Sequence, residues 1–440
     1  MRSITFLSLL LAFSSTAQAG NWPGWRGPNF NGSADETGLA SRWSDTENVA
    51  WVADLPGPSA ATPVVWGDRV FVSSADTANE TLRALCFDRK TGKLLWQHEA
   101  AKGLRQDSRS TYSSPSPATD GKLVVFFFGN GEMATYDLDG RELWSRNIEK
   151  DYGEFAFNWT FATSPLLFDG KLYLQVLQRD VPVNGRGFTD RTNESYLLAL
   201  APETGETLWR VPRPSRAVAE SREAFTTPTP FEYGGRNELL VVGGDDLTGH
   251  DPATGEELWR WGTWNPSRIG HWRLVPSPVA SDDVILVCAP KRDPVYAIKA
   301  GGNGQLDDEA IAWTSKTTQT ERSVSSDVPT PAYYDGDFFV LSDVRSMLSR
   351  VDPKTGQPKW TVKTPGPTKY EASPLVADGK VYLINHVAEV AVVNAENGAV
   401  ISEIEMGGPR DEPVRSSIIA AQGQLFVRTN TKLYCIEQAR

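Results

Sequence analysis

The sequence predicts an all-β protein, an eight-bladed β-propeller of four-stranded antiparallel blades whose ring is closed by an N-terminal strand completing the last blade. Three observations predict this fold. A hairpin pattern with an Asp-Gly turn recurs along the chain. A Thr-Gly turn followed by tryptophan alternates with it, and the two ends of the repeat region each supply part of one blade. Repetition at roughly 40–50 residues is typical of propellers.

The first half of each repeat predicts a hairpin. Its clearest copies are residues 164–174 and 373–383, where Ser-Pro opens an apolar run that is followed by Asp-Gly and a second apolar run. Asp-Gly between apolar runs favours a tight β-turn, because glycine adopts a positive φ without steric cost. We expect these runs to form strands a and b of a blade.

The second half of each repeat ends in tryptophan. Copies at 88–96, 202–209, 251–259 and 352–360 each contain Thr-Gly shortly before the tryptophan. An aspartate at the start of such a turn can bond the turn amides, and glycine takes the left-handed position that closes the hairpin. This half therefore predicts strands c and d.

Counting the repeats gives eight blades. The strand-a starts are Thr62, Ser114 or Ser116, Ser164, Thr227, Ser277, Thr330, Ser373 and Ser417. The tryptophans on strand d are Trp96, Trp144, Trp209, Trp259, Trp313 and Trp360. Blade seven departs from the pattern, with Ser402 at the tryptophan position. We expect these large rings to pack between blades, as structural residues rather than a cofactor site.

The last blade is split between the two ends of the chain. Residues 417–438 supply three strands, and residues 48–52 resemble a strand d that precedes the first strand a. Pairing these segments would remove the open sheet edges that a linear array exposes. The sequence therefore predicts a closed ring.

The domain organisation follows from this count. Residues 1–19 are typical of a secretory signal peptide, with Arg2, an apolar run and a cleavage site after Ala19. Residues 20–47 are an extension expected to pack on the propeller, and residues 48–440 are a single propeller. We expect a periplasmic or secreted monomer with no membrane span, since no later segment is long and apolar enough.

Composition excludes several function classes. The net charge of −11 argues against nucleic acid as a partner, because phosphate binding needs clustered basic surface. The three cysteines, Cys86, Cys288 and Cys435, lie in apolar runs and are predicted to be buried. The four histidines lie far apart in sequence, and no metal-ligand spacing or nucleophile motif is present. We therefore predict no catalytic residue and no metal site.

The loops that join strand d to the next strand a are long and rich in arginine and aromatic residues. Binding residues concentrate on such loops, and arginine forks suit carboxylates. If the loops meet at one opening, they form a funnel for an anionic planar ligand, a sugar or a peptide. The predicted binding residues are Arg109, Tyr112, Asn158, Trp159, Arg222, His271, Trp272, Arg273, Arg322, Lys369, Tyr370 and Arg415.

The repeat resembles a known family. The Ser-Pro start, the Asp-Gly hairpin and the Thr-Gly turn ending in tryptophan are similar to pyrroloquinoline quinone (PQQ)-type propeller repeats. Such repeats occur in quinoprotein alcohol dehydrogenases and in the outer-membrane assembly factor BamB. The opening at residues 22–28 and the strand at 48–51 resemble exported PQQ-like repeat proteins of bacteria such as planctomycetes. The resemblance covers residues 22–440 and implies the fold more strongly than an activity.

The sequence also departs from that family. It lacks the adjacent cysteines of PQQ dehydrogenases and the lipid-anchor cysteine of BamB-like proteins. The favoured interpretation is a non-catalytic binding or scaffold propeller without a cofactor, whose partner is a periplasmic or envelope protein or a small anionic or carbohydrate ligand. One alternative is a PQQ-dependent alcohol or sugar dehydrogenase with PQQ and calcium. Another is a glycan-binding propeller.

Overall fold

The computed structural model describes residues 20–44, 46–315, 324–408 and 413–438. The predicted signal peptide and Arg322 lie outside the described residues. Strands dominate the described chain, and three short helical turns accompany them: Ile148–Tyr152, Ala219–Arg222 and Asp308–Ala310.

Eight sheets form the eight blades, and this confirms the predicted fold class. In each blade, strands a to d are paired antiparallel to their neighbours. The strands of blade 1 are Val64–Trp66, Arg69–Asp76, Thr81–Asp88 and Leu94–Lys102. Those of blade 2 are Ala118–Thr119, Leu123–Phe127, Glu132–Asp137 and Glu142–Asn147. Those of blade 3 are Leu166–Phe168, Lys171–Val176, Tyr196–Leu200 and Thr207–Pro212. Those of blade 4 are Thr229–Tyr233, Arg236–Gly243, Asp246–His250 and Glu257–Trp261, with Gly304–Gln305 added at the outer edge.

The remaining blades follow the same order. The strands of blade 5 are Val279–Ala280, Val284–Cys288, Val295–Lys299 and Ile311–Thr314. Those of blade 6 are Ala332–Tyr334, Asp337–Ser342, Met347–Val351 and Pro358–Lys363. Those of blade 7 are Leu375–Ala377, Lys380–Ile384, Glu389–Asn394 and Val400–Glu405, with Ser33–Ala34 added in parallel to strand a. Those of blade 8 are Ile419–Ala421, Gln424–Arg428, Lys432–Ile436 and, from the start of the chain, Val49–Asp54.

The predicted closure of the ring is confirmed. Val49–Asp54 pairs antiparallel with Lys432–Ile436, and Trp51 lies opposite Cys435. The Trp51 Nε1 donates a hydrogen bond to Arg89 O of blade 1 at 2.7 Å. The split blade is therefore joined to its own partner strand and to the first blade.

The core lies between the blades. Inner strands such as Val284–Cys288 are buried along their whole length, whereas the outer strand Leu94–Lys102 is largely exposed. Several tryptophans of strand d join their blade to the next: the Nε1 of Trp96 donates to Leu138 O at 3.1 Å, and the Nε1 of Trp313 to Pro353 O at 2.7 Å. These contacts are structural.

The meander gives the propeller two different ends. We call the end that carries the d–a connections, such as residues 103–117, the loop face. We call the end that carries the a–b turns, such as Gly67–Asp68, the turn face. The extension lies along the turn face: Trp22 N donates to Val65 O at 2.8 Å, and Thr119 N donates to Pro23 O at 2.8 Å.

The extension then crosses to the opposite side of the ring. Arg26 donates through Nη1 to Pro374 O at 3.1 Å and through Nη2 to Pro331 O at 2.8 Å. These carbonyls belong to residues that precede strand a of blades 7 and 6. Since Trp22 and Pro23 contact blades 1 and 2, residues 22–26 bridge the ring.

The end of the extension accounts for the irregular blade 7. Ser402 Oγ donates to Ser41 O at 2.5 Å, and Arg42 Nη2 donates to Ile401 O at 2.9 Å. Trp43 Nε1 contacts Met406 Sδ at 3.3 Å. The strand that lacks the repeat tryptophan is thus covered by residues 41–43.

Candidate functional site: an axial cationic cavity

A ring of hydroxyl groups marks the axis where the strands a begin. At seven junctions, the backbone N–H of the first residue donates to the hydroxyl of the equivalent residue one blade on, at 2.9–3.2 Å. The ring runs through Thr62, Ser116, Ser164, Thr227, Ser277, Thr330, Ser373 and Ser417. Ser116 rather than Ser114 occupies the ring position in blade 2, because Thr62 N donates to its Oγ.

A cavity of about 200 Å³ lies within this ring and opens among the d–a loops. Its walls come from every junction between blades. They comprise Ala60, Arg109, Ser110, Ser114, Ser116, Trp159, Ala162, Ser164, Phe225, Thr227, Arg273, Val275, Lys291, Asp327, Val328, Thr330, Lys369, Glu371, Ser373 and Arg415, together with Trp25 of the extension. We call this space the axial cavity.

The axial cavity is cationic. Five of its side chains are arginine or lysine, and two are carboxylates, Asp327 and Glu371. The whole protein has a net charge of −11, so this excess is local. Clefts lined by one sign of charge concentrate counter-ions. The electrostatics therefore favour an anionic occupant.

Glu371 organises one side of the cavity. Its side chain is 2% exposed, and it accepts hydrogen bonds from His386 Nε2 at 2.9 Å and Arg415 Nε at 3.0 Å. Arg109 Nη1 and Lys369 Nζ lie 3.4 and 3.6 Å from its Oε1. Burial opposes ionisation, but the hydrogen bond and charge of His386, followed by Arg415, lower the pKa of Glu371 to about 2. The carboxylate stays ionised and holds the surrounding cations in place.

Asp107 fixes the loop that carries Arg109. It accepts hydrogen bonds from the backbone N–H of Arg109 at 2.7 Å and Ser110 at 2.9 Å, and from Thr160 N at 2.6 Å. Burial acts to raise the pKa of Asp107, but these hydrogen bonds together outweigh it and lower the pKa. The loops on either side of blade 2 are thereby joined, which places the Arg109 guanidinium 5.9 Å from the Trp159 ring centre.

Trp159 and Arg273 share an acceptor. Trp159 Nε1 donates to Glu220 Oε1 at 3.2 Å, and Arg273 Nη1 lies 3.4 Å from the same oxygen. Both contacts involve N–H groups at the edges of the two side chains, so the indole ring of Trp159 remains part of the cavity wall. An aromatic face beside arginine guanidiniums suits a planar anionic ligand.

Lys291 and Asp327 form another part of the wall, and Asp343 contacts Asp327. Lys291 N donates to Asp327 Oδ1 at 2.8 Å, and its Nζ lies 3.6 Å from Asp327 Oδ2. Asp343 accepts a hydrogen bond from Asp327 N at 3.0 Å. Burial raises the pKa of Asp343 to about 6, and its Oδ2 has no hydrogen-bond partner within the described residues.

Five of the twelve sequence-predicted residues line the axial cavity: Arg109, Trp159, Arg273, Lys369 and Arg415. Arg322 lies outside the described residues. The other six do not line it: Tyr112, Asn158, Arg222, His271, Trp272 and Tyr370.

Those six side chains have other surroundings. Tyr370 is buried between blades 6 and 7, Tyr112 packs against the core of blades 1 and 2, and Trp272 packs against the core around blade 4. His271 is exposed. Arg222 Nε lies 3.5 Å from Asp180 Oδ1.

Asn158 acts through its backbone. Its N–H donates to Glu223 Oε2 at 3.1 Å, while Glu223 also accepts from Arg179 Nε at 2.5 Å. Burial outweighs Arg179 and raises the pKa of Glu223 to about 7. Glu223 therefore ties the loop before blade 3 to the loop before blade 4.

Four charged or aromatic residues of the cavity are not among the predicted binding residues: Trp25, Lys291, Asp327 and Glu371. Glu371 and Asp327 stand on the selected loops, so loop position was a signal for both. Lys291 lies on a b–c turn, whereas the predicted binding residues all lie on d–a loops. Trp25 belongs to the extension, for which no repeat pattern predicts a position.

The cysteines and metal-ligand residues form no cluster in the part of the chain that the structure describes. Cys86, Cys288 and Cys435 are buried, free and placed in blades 1, 5 and 8. Across the described ranges, no group of three or more His, Cys, Asp or Glu side chains could hold a metal ion. No helix among these residues is long and apolar enough to cross a membrane.

Comparison with known families agrees with the repeat pattern. The family model described as "Outer membrane protein assembly factor BamB" matches residues 32–179 and 193–440. The chain belongs to this family of PQQ-type propellers. The unmatched residues 180–192 fall between strands b and c of blade 3, so the family match includes strands of every blade.

Curated relatives of this PQQ-type propeller are distant. It is 28% identical over 262 residues to polyvinylalcohol dehydrogenase of a Pseudomonas species, which covers 56% of this chain and 34% of that protein. It is 23% identical over 278 residues to BamB of Burkholderia pseudomallei, which covers 49% of this chain and 69% of that protein. The chain thus spans about a third of the length of the first relative.

Solved structures share the fold. BamB from Moraxella catarrhalis superimposes with a TM-score of 0.59 at 12% identity, covering 88% of this chain and 99% of that one. Quinohemoprotein alcohol dehydrogenase from Comamonas testosteroni gives a TM-score of 0.63 at 14% identity, covering 97% and 82%. At these identities the likeness concerns the propeller alone.

Proposed function

We propose that this PQQ-type propeller is a binding protein that holds a small, carboxylate-bearing ligand in the axial cavity. The observation that carries the proposal is the cationic lining: five arginine and lysine side chains against two carboxylates, in a protein of net charge −11. Guanidinium forks match planar carboxylates, and a partly enclosed cavity screens these charges less than open solvent does.

The arrangement of Glu371 supports this proposal. One carboxylate faces His386 and three cavity cations, so it positions those cations without neutralising all of them. An incoming carboxylate would bind to side chains that are already oriented, which lowers the entropic cost of binding. The cavity of about 200 Å³ suits a small molecule rather than a folded domain.

Calorimetric titration tests the proposal. The probes are benzene-1,3,5-tricarboxylate, citrate and PQQ, each titrated into the full chain at low and high salt. We expect binding by at least one probe, weakening as salt rises. Lys369→Gln should weaken binding roughly tenfold, a loss of about 1.4 kcal/mol. No binding of any probe to the wild-type protein would overturn the proposal.

Lys354 provides the matched control. It is an exposed lysine on a c–d turn of blade 6, at the turn face, so Lys354→Gln removes the same charge far from the cavity. We expect Lys354→Gln to bind like the wild type. Equal weakening by both substitutions would show that net charge, rather than the cavity, governs binding.

A second candidate function is PQQ-dependent oxidation. The relative named polyvinylalcohol dehydrogenase and the structural likeness to a quinohemoprotein alcohol dehydrogenase favour it. PQQ, a planar tricarboxylate quinone, would supply redox chemistry when bound. The residues that would hold its carboxylates are Arg109, Arg273, Lys291, Lys369 and Arg415.

The fit is incomplete on the metal side. The described residues contain no cluster of three or more His, Cys, Asp or Glu side chains that could hold a metal ion, so we derive no step through calcium. Dye-linked oxidation of poly(vinyl alcohol), ethanol and glucose by protein equilibrated with PQQ and calcium tests this candidate. Dye reduction would favour an oxidoreductase. Binding of PQQ without dye reduction would support the binding function and contradict the oxidoreductase.

We also propose that the protein is exported through residues 1–19, as their composition predicts. The relative named outer membrane protein assembly factor BamB supports an envelope location. N-terminal sequencing of protein recovered from the periplasm or medium should begin at Gly20. Recovery of full-length protein from the cytoplasm alone would contradict export.

A further inference from the structure

We propose that Trp25 is a ligand-binding residue, so that a segment outside the propeller ring builds the inner end of the axial cavity and selects planar aromatic acids. This inference rests on the proposed function, because it concerns the same cavity. It adds a residue and a preference among anionic ligands that the repeat does not provide.

The position of Trp25 supports the inference. The neighbouring residues Trp22 and Pro23 bond to Val65 and Thr119 near the turn face. Trp25 nevertheless lines the same cavity as Arg109 and the other loop-face residues. It must therefore lie at the inner end of the cavity, opposite the opening among the d–a loops.

Exposure distinguishes the two tryptophans of this segment. Trp22 is 2% exposed and packs into the core beside Val65, whereas Trp25 is only partly buried. Trp25 forms part of the cavity wall, where a ligand can contact it.

Arg26 holds Trp25 in place. Its guanidinium carbon lies 5.7 Å from the Trp25 ring centre, and its Nη atoms donate to Pro331 O and Pro374 O. A Cβ at Gly32 would lie 1.7 Å from Arg26 Nη2, so the chain passes closely over the guanidinium. The ring is thus positioned by a side chain anchored to two blades.

Arg26 also adds positive charge at the inner end. It is 4% exposed, and its hydrogen-bond partners within the described ranges are backbone carbonyls rather than carboxylates. Its Nε has no partner there. An uncompensated buried cation is costly, and a nearby anion reduces that cost. Anion binding and docking of residues 22–32 should therefore stabilise each other.

The two indole rings, Trp25 and Trp159, set the ligand class. Both line a cavity whose charged groups suit carboxylates. A planar aromatic acid can stack on an indole while its carboxylates contact the cations, whereas a flexible acid of equal charge can make only the ionic contacts. We expect benzene-1,3,5-tricarboxylate to bind more tightly than citrate, roughly tenfold.

Substitution of Trp25 tests the inference in the full chain. Trp25→Leu should bind benzene-1,3,5-tricarboxylate roughly tenfold more weakly and leave citrate affinity nearly unchanged, while Trp25→Phe should retain most of the preference. Trp43→Phe is the matched control, because Trp43 belongs to the same extension but packs against Met406 away from the cavity. It should bind both acids like the wild type.

A direct readout uses 5-fluorotryptophan. The chain contains 15 tryptophans, and the fluorine signal missing from Trp25→Phe identifies Trp25. That signal should shift when benzene-1,3,5-tricarboxylate is added. Wild-type binding with no shift, and with unchanged affinity in Trp25→Leu, would overturn this inference while preserving the proposed function. No binding of benzene-1,3,5-tricarboxylate, citrate or PQQ by the wild type would overturn both.

Discussion

Trp144 of blade 2 lies directly against Gly205 in the c–d turn of blade 3. A Cβ built at Gly205 would lie 2.6 Å from the Trp144 ring, and Trp144 Nε1 donates to Pro202 O of the same turn at 2.7 Å. Gly205 also has a φ of +73°. One glycine thus serves both the turn and the contact between blades.

Gly205→Ala should therefore destabilise the protein for two reasons. A positive φ costs a non-glycine residue on the order of 1 kcal/mol, and displacement of Trp144 adds a packing cost of about 1–3 kcal/mol. Gly170→Ala is the control, since Gly170 has a φ of +69° but no heavy atom within 4 Å of an added Cβ. Urea denaturation should rank Gly205→Ala as clearly the less stable. Equal losses would mean that the indole contact contributes nothing.

The hydroxyl ring predicts a second pair of effects. Ser164 Oγ accepts from the buried Ser116 N at 3.0 Å, so Ser164→Ala would leave that N–H without a partner. We expect a loss of about 1–3 kcal/mol in the free energy of unfolding. Chemical denaturation measures this loss, and the m-value should stay unchanged.

The seam between blades 8 and 1 supplies the control. Thr62 Oγ1 is buried and has no hydrogen-bond partner among the described residues. Thr62→Val keeps the shape and removes an unsatisfied hydroxyl, so stability should stay equal or rise. A loss as large as that of Ser164→Ala would indicate that the ring is closed at this junction as well.

The fold could be predicted from the sequence because each blade repeats local signals. Asp-Gly turns, Thr-Gly turns and the split ends determine strand order without knowledge of distant contacts, and Trp51 opposite Cys435 shows the closure. The site could be predicted only in part. Arg109 and Glu371 are 262 residues apart, and no local pattern states that they meet.

Side-chain direction was a second limit. Lys369 and Glu371 line the cavity, whereas Tyr370 between them is buried in the core of blades 6 and 7. Alternation along an extended loop separates neighbours in this way. A run of suitable residues therefore predicts a site only when the inward-facing position is known. Trp25 had no such pattern at all.

The Glu371 cluster predicts a dependence of stability on pH. The pKa of Glu371 is lowered in the folded state from 4.5 to about 2, so its ionised form stabilises the fold above about pH 4.5. That contribution, on the order of 3 kcal/mol, is lost as the pH falls from 4.5 towards 2. Glu371→Gln should therefore be less stable than the wild type at pH 6, and the difference should shrink below pH 4.5.

Denaturation at a series of pH values checks this prediction. The control is Glu99→Gln, because Glu99 is exposed on strand d of blade 1. Its difference from the wild type should be small at every pH. A Glu371→Gln difference that stays constant between pH 6 and pH 3 would contradict the ionised cluster.

Substitutions of Trp159 and Trp272 distinguish contact with the ligand from packing in the core. Trp159 lines the axial cavity, whereas Trp272 packs against the core that contains Trp261 and Trp264. Trp159→Ala should weaken binding of benzene-1,3,5-tricarboxylate roughly tenfold and cost less than about 1 kcal/mol of stability. Trp272→Ala should instead cost about 2 kcal/mol and leave the affinity unchanged. Calorimetric binding and denaturation on both variants test this division. If Trp272→Ala weakened binding while Trp159→Ala did not, Trp272 rather than Trp159 would contact the ligand, and this division would be wrong.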